Sequence, residues 1–334
     1  KTKHRSCDKL LRIDMRISII VMFRALLRMV MKMVGMRPQK VEIDQQGTVI
    51  NFWVPSKPQN KKLAVVFLHG FAADGILTWQ FQVMALARKY AVYVPDLVFF
   101  GESTTERPER SPEFQAECVA EGLKKLGVVE KWRVVGFSYG GIVGFKMAEM
   151  YSDMVVSVVV SGSTTELMES FSRPTLQKLG GFSSWSQLLL PRTADGVRVL
   201  LDVGIYKRIP YPIFFLREFL EEFICVNRRK KDELLAAVVK NIDSAIPKYP
   251  QKIHLIWGAK DKIFDLEDAK NLKTELGEKA ELHVIENAGH LVMLERPFVF
   301  NSLLSHILPS LPASSVYRHR RSQPAGSLSF RPRD

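Results

Sequence analysis

Three residues far apart in the chain have the types of a nucleophile, an orienting acid and a base: Ser138, Asp261 and His290. A serine hydroxyl attacks a carbonyl carbon only when a base takes its proton. Ser138 lies in Trp132-Arg133-Val134-Val135-Gly136-Phe137-Ser138-Tyr139-Gly140-Gly141. A β-branched run leads into Gly-x-Ser-x-Gly, and a helix-like segment, Ile142 to Met150, comes next. That strand–turn–helix order is what a nucleophile elbow requires. The turn is so tight that the flanking residues must be nearly free of side chain. Gly136 and Gly140 meet that demand, and Gly141 lets the helix approach the sheet.

In an α/β sheet, reactive groups collect where strands end. The strand expected at 252–257 runs into Gly258-Ala259-Lys260-Asp261, and the one at 280–285 into Glu286-Asn287-Ala288-Gly289-His290. The order serine, aspartate, histidine suits an elbow of this type. His290 is the expected general base, then general acid, and Asp261 orients its ring. Asp265 is the second candidate acid, but its place before a helix suits an N-cap better. Two backbone N–H groups are expected to bind the oxyanion, those of Tyr139 and of Phe71 in His69-Gly70-Phe71. His69 is read as holding that loop, and Asp96 as structural.

Strands are expected at 41–44, 48–54, 63–68, 91–94, 132–136 and 155–160, with helices between most of them. This alternation implies a parallel α/β sheet. It stops at Ser161. Residues 162–250 show only helix-like segments punctuated by prolines, and strands resume at 252. The expected fold is a mostly parallel eight-stranded sheet flanked by helices, with a helical insertion after strand 6. The core is then 41–161 plus 251–312.

The net charge of +13 is concentrated at the ends. Residues 1–40 hold eleven Lys/Arg against two Asp/Glu, residues 313–334 hold five against one, and the rest holds 32 of each. The core therefore has no electrostatic reason to bind nucleic acid. Residues 10–36 are apolar but interrupted by Arg12, Arg16, Arg24, Arg28 and Lys32. Their uncharged run is far below the ~20 residues needed to span a bilayer. The pattern suggests a helix with a basic stripe beside an apolar one, lying on a membrane surface. Packing on the domain, or a targeting peptide, is the alternative. Residues 313–334, rich in Ser, Pro and Arg, read as a disordered basic tail. Three dispersed cysteines (Cys7, Cys118, Cys225) make neither a disulfide framework nor a metal spacing, which suggests inert thiols in an intracellular, cytoplasmic or membrane-peripheral protein. No cofactor and no metal is expected. Arg228-Arg229-Lys230-Lys231 reads as a solvated helix start.

The stretches His69-Gly70-Phe71, Pro95-Asp96-Leu97 with Gly101 and Ser103, Gly136 to Gly141, Trp257-Gly258 with Asp261, and Ala288-Gly289-His290 resemble the α/β-hydrolase fold superfamily. Within it the chain resembles plant hydrolases related to monoacylglycerol lipases and to meta-cleavage product (carbon–carbon bond) hydrolases. The resemblance runs from about Val41 to Leu311 and implies that 162–250 is a cap over the site. Epoxide hydrolases and haloalkane dehalogenases of the superfamily have aspartate where Ser138 stands, which disfavours both activities. Phe99 stands at the family's first glycine after Pro-Asp-Leu. Phe99, Phe100, Trp185, Phe214 and Phe215 are candidates for an apolar pocket. The reading is a serine esterase of monoacylglycerol-lipase type, acting on the small-molecule ester of an apolar acyl or aromatic group through an acyl-enzyme on Ser138. The alternatives are carbon–carbon bond hydrolysis, which needs a pocket arginine (Arg173, Arg192, Arg198, Arg208 or Arg217), and a hydrolase-fold receptor with little turnover.

Overall fold

The computed structural model describes residues 18–59, 62–129, 131–241 and 246–310. Its centre is an eight-stranded sheet in the order β1-β2-β4-β3-β5-β6-β9-β10. The strands are β1 Met36–Glu42, β2 Val49–Pro55, β3 Ala64–Leu68, β4 Ala91–Pro95, β5 Trp132–Phe137, β6 Val155–Ser161, β9 Lys252–Gly258 and β10 Ala280–Ile285. β1 and β2 form an antiparallel pair, β2 meets β4 antiparallel, and the other pairings are parallel. The central strand β3 is apolar and buried at every position because both faces are covered. In β3, Val65 and Phe67 join the core under α2 (Gly75–Leu86) and α12 (Pro297–Ser310), while Ala64, Val66 and Leu68 join the core under α3 (Pro112–Lys125) and α4 (Tyr139–Met150).

The residues between β6 and β9 leave the sheet and return to it beside the strand they left. They hold α5 (Glu169–Gly180), α6 (Trp185–Leu189), α7 (Ala194–Gly204), α8 (Ile213–Phe219), a π-helical turn (Leu220–Cys225) and α9 (Arg228–Val238). Two short strands, β7 (Leu167–Met168) and β8 (Val239–Lys240), pair in parallel within this segment, which therefore is not wholly helical. The Arg228–Lys231 run is not simply solvated. Arg228 donates to the carbonyls of Leu190 and Pro191, and Lys231 is buried with its ammonium 2.7 Å from the carbonyl of Phe223. Burial lowers the Lys231 pKa to about 8.

The boundary expected at residue 40 falls inside β1. The sequence Met-Arg-Pro-Gln-Lys-Val-Glu hides a strand because only Met36 and Val41 are buried, and Pro38 is tolerated at a sheet edge. The preceding helix α1 (Ile19–Met33) packs on the domain through Ile20, Leu27 and Met31. Its basic residues do not form a free stripe: Arg24 pairs with Asp74 at 2.9 Å and Arg28 with Glu102. Ile19, Met22, Leu26, Met29 and Met33, three and four apart, are half or more exposed. The earlier part of the expected basic helix (10–17) and the expected disordered tail (313–334) lie outside the described residues. Among the described residues no helix is long and apolar enough to cross a membrane. Cys118 is a buried free thiol whose pKa burial pushes up to about 12. Cys225 is disulfide-bonded, which corrects the reading of all three cysteines as inert thiols.

Candidate active site

β5 delivers Phe137 to the sheet edge, and the chain reverses at Ser138 before α4 starts. Ser138 has φ 52° and ψ −122°, a conformation that non-glycine residues rarely hold. Neighbouring groups fix it. The Ser138 N–H donates to the carbonyl of Ser161 at 2.9 Å, and its own carbonyl accepts from the Ser163 hydroxyl at 2.7 Å and from Gly141 N–H at 2.8 Å. The glycines are there for space. A Cβ on Gly136 would sit 2.5 Å from the Gly140 carbonyl oxygen, and one on Gly140 would sit 2.5 Å from that of His69.

Asp261 and His290 follow β9 and β10 and meet. Asp261 Oδ2 lies 2.8 Å from His290 Nδ1, and Asp261 Oδ1 accepts from the N–H groups of Ile263 and Phe264 at 2.8 and 3.1 Å. With Nδ1 facing the carboxylate, Nε2 is the ring nitrogen left to take a proton. The ring packs against Phe137 (centroids 4.8 Å) and Phe264 (6.0 Å). Asp265 caps α10 (Leu266–Leu276) in a capping box with Asp268.

The loop after β3 approaches the elbow so closely that a Cβ on Gly70 would touch the Phe137 ring at 2.8 Å and Ser138 Cβ at 3.4 Å. The N–H of Tyr139 is one of the first four of α4, which no intrahelical carbonyl satisfies. The Phe71 and Tyr139 rings pack edge to face at 6.2 Å. His69 holds the loop: its Nε2 accepts from Leu97 N–H at 2.9 Å and its Nδ1 lies 2.7 Å from the Gly70 carbonyl. Burial lowers its pKa to about 4. Asp96 accepts from Asn51, Gly75 and Glu102, and burial followed by the charge of Asp74 raises its pKa to about 7.

A cavity of about 470 Å³ opens above Ser138, with His290, Phe71 and Tyr139 on its wall. Trp185 and Phe215 line it as expected. Phe99, Phe100 and Phe214 do not. Phe99 is buried elsewhere at φ 77°, its ring under the Arg110 guanidinium at 4.5 Å, so this position calls for the glycine that the resemblance leads one to expect. Phe100 packs on His69 and Phe71 of the loop after β3. Phe214 is exposed. Phe219 and Phe223 line the cavity instead, continuing the four-residue spacing from Phe215, as do Ile20, Phe23 and Arg24 of α1.

Other contributors carry little sequence signal. Gly162 has φ 54°, and a Cβ there would lie 2.7 Å from His290 Nδ1. Glu295, in α11 (Val292–Glu295), accepts from Gly289 N–H at 2.7 Å and from Tyr206 N–H at 2.8 Å, joining the His290 loop to the insertion. The expectation of no metal spacing considers neighbours in sequence only. Pairing of β9 with β10 brings His254, Glu281 and His283 together, with donor atoms within 4.8 Å of one another.

A model of the alpha/beta hydrolase family matches residues 65–303. The chain belongs to the alpha/beta hydrolase family. It is 25% identical over 273 residues to monoacylglycerol lipase abhd6-B of Xenopus laevis, covering 78% of this chain and 80% of that one. It is 26% identical to a soluble epoxide hydrolase of Corynebacterium (73% and 90% covered) and 25% identical to a 2-hydroxymuconate semialdehyde hydrolase of Pseudomonas (75% and 89%). A putative lipase of Acinetobacter baumannii superposes with a TM-score of 0.73 at 20% identity, covering 86% of this chain and 96% of the other. These relatives are amphibian and bacterial, so the plant element of the resemblance gains no support.

Proposed function

We propose that the protein is a serine hydrolase cleaving the carboxylic ester of an apolar acyl or aromatic substrate. The observation that carries this reading is the apolar cavity with Ser138 and His290 on one wall and Asp261 bonded behind His290. Its volume of about 470 Å³ lies within the roughly 300–1,000 Å³ of small-molecule sites. Ser138 Oγ attacks the ester carbonyl and its proton passes to His290 Nε2. The Phe71 and Tyr139 N–H groups hold the oxyanion, each worth roughly 3 kcal/mol at the transition state. His290 then protonates the leaving alkoxide. Water, deprotonated by the same nitrogen, releases the acid from the acyl-enzyme. Residues 162–250 act as the cap. The similarity to the abhd6-B lipase supports the ester reading. So does the nucleophile, since the aspartate of the epoxide-hydrolase resemblance is absent.

The cations around the cavity disfavour carbon–carbon cleavage of an acidic substrate. Arg173, Arg192, Arg198, Arg208 and Arg217 do not line the cavity; Arg24 does, and it is committed to Asp74. Phe23 and Ile209 line the cavity and are also exposed, and Phe23 follows Met22 of the outward stripe of α1. This apolar mouth would rest on a lipid surface, peripherally, and take substrate from it.

Labelling with a fluorophosphonate probe tests the proposal, together with p-nitrophenyl esters graded in chain length. Labelling of the wild type that is lost in Ser138→Ala, with turnover rising towards longer acyl chains, is the expected result. Absence of labelling in the folded wild type would remove the hydrolase reading and leave the receptor one. Sedimentation with phosphatidylcholine–phosphatidylserine vesicles, reduced by Leu26→Asp, tests the membrane contact.

A further inference from the structure

His254, Glu281 and His283 take no part in the proposed reaction, yet their side chains converge. The parallel register sets Glu281 beside His254, so their side chains share one face of the sheet. His283, two residues further along β10, shares that face because side chains alternate along a strand. His254 Nδ1 lies 3.2 Å from His283 Nε2 and 3.6 Å from Glu281 Oε2, and His283 Nε2 lies 3.9 Å from the same oxygen. Three electron-pair donors therefore surround one point. A shared proton between the two rings satisfies two of them and leaves the carboxylate outside.

We propose that this cluster is a divalent transition-metal site, with His254 Nδ1, His283 Nε2 and a Glu281 oxygen as ligands. Zinc–nitrogen and zinc–oxygen bonds are about 2.0–2.1 Å, so donors around a tetrahedral ion stand about 3.3 Å apart. The ring nitrogens already have that separation. The carboxylate oxygen, 3.6 Å from one ring nitrogen and 3.9 Å from the other, must close by roughly half an ångström, which its half-exposed side chain permits. Two imidazoles and one carboxylate suit zinc, or nickel and copper, rather than magnesium or calcium. Water completes the coordination on the open side of the edge strand. The ion would bridge β9 and β10, the strands that lead to Asp261 and His290, and would fix one against the other. Its role is to stiffen the frame of the site rather than to enter the chemistry.

The experiment is calorimetric titration of the full chain, free of any histidine tag, with zinc chloride and separately with magnesium chloride. A thermal melt is run at each endpoint. The expected result is one zinc per chain, no magnesium binding, and a higher melting temperature with zinc. His283→Ala, at a partly exposed position, should weaken zinc binding at least tenfold while its zinc-free melt stays near that of the wild type. Glu281→Gln should weaken it less. A wild type that takes up no zinc overturns the proposal. So does undiminished binding by His283→Ala, because the ion would then sit elsewhere, for instance on His290.

Discussion

Beneath Ser138 the chain is held by backbone groups and by missing side chains, whereas above it the cavity is enclosed by side chains from the insertion and α1. Below, Gly136 and Gly140 bring backbone against backbone, and Ser161 and Ser163 fix the turn. Above, Trp185, Phe215, Phe219 and Phe23 meet the cavity through rings that another apolar residue could replace. A floor of that kind allows one arrangement of atoms and a wall of that kind allows many. The proposed chemistry is therefore fixed tightly and the proposed substrate loosely.

The largest effect expected from breaking the floor is that of Ser138→Ala, which should lower kcat about 10⁴- to 10⁶-fold with the melting temperature unchanged or raised. Steady-state kinetics beside a thermal melt read both. Gly162→Ala, which pushes a methyl against His290, should cost roughly 10²-fold in kcat. A fall confined to KM would show that Gly162 does not hold the imidazole in place.

His69 adds a pH signature to the floor. Its pKa falls from about 6.5 in the unfolded chain to about 4 when folded, so the unfolded state binds the extra proton between these values. Its neutral form stabilises the fold fully above pH 6.5, and that contribution is lost as pH falls through 4. The gap in unfolding free energy between wild type and His69→Gln should shrink by about 3 kcal/mol from pH 7 to pH 4. Comparing the two proteins cancels the opposing term from Asp96, whose raised pKa favours the fold at low pH. Denaturant melts across that range decide it. On the wall, Phe219→Ala should raise KM for long-chain esters about tenfold and leave kcat within twofold. A kcat loss as large as that of Gly162→Ala would erase the distinction between the two regions.

The floor is also the part legible in the sequence. Ser138 announces itself through adjacent glycines, and Asp261 and His290 through their places after apolar runs. The eight-stranded sheet can be read from those runs, apart from β1, whose solvent face masks it. The wall depends on helix phase, which aromatic content alone does not supply. Phe214 and Phe215 are neighbours, yet about 100° of helical rotation sends one to solvent and the other to the cavity. The four-residue spacing of Phe215, Phe219 and Phe223 is the signal that separates them. Gly162 and Glu295 carry no such signal, because His290 lies far along the chain from Gly162 and Tyr206, one of the two partners of Glu295, lies 89 residues away from it. The same holds for His254 with Glu281 and His283, which only the strand register unites.

Helix α1 crosses the boundary between these regions. It supplies no group to the proposed reaction, yet it faces both the cavity and the outside. Residues on such an element can drift while the elbow and its partners stay in place. A lineage could thus alter which molecules this site admits by changing the residues around Phe23, and leave every atom of the bond-breaking machinery as it stands.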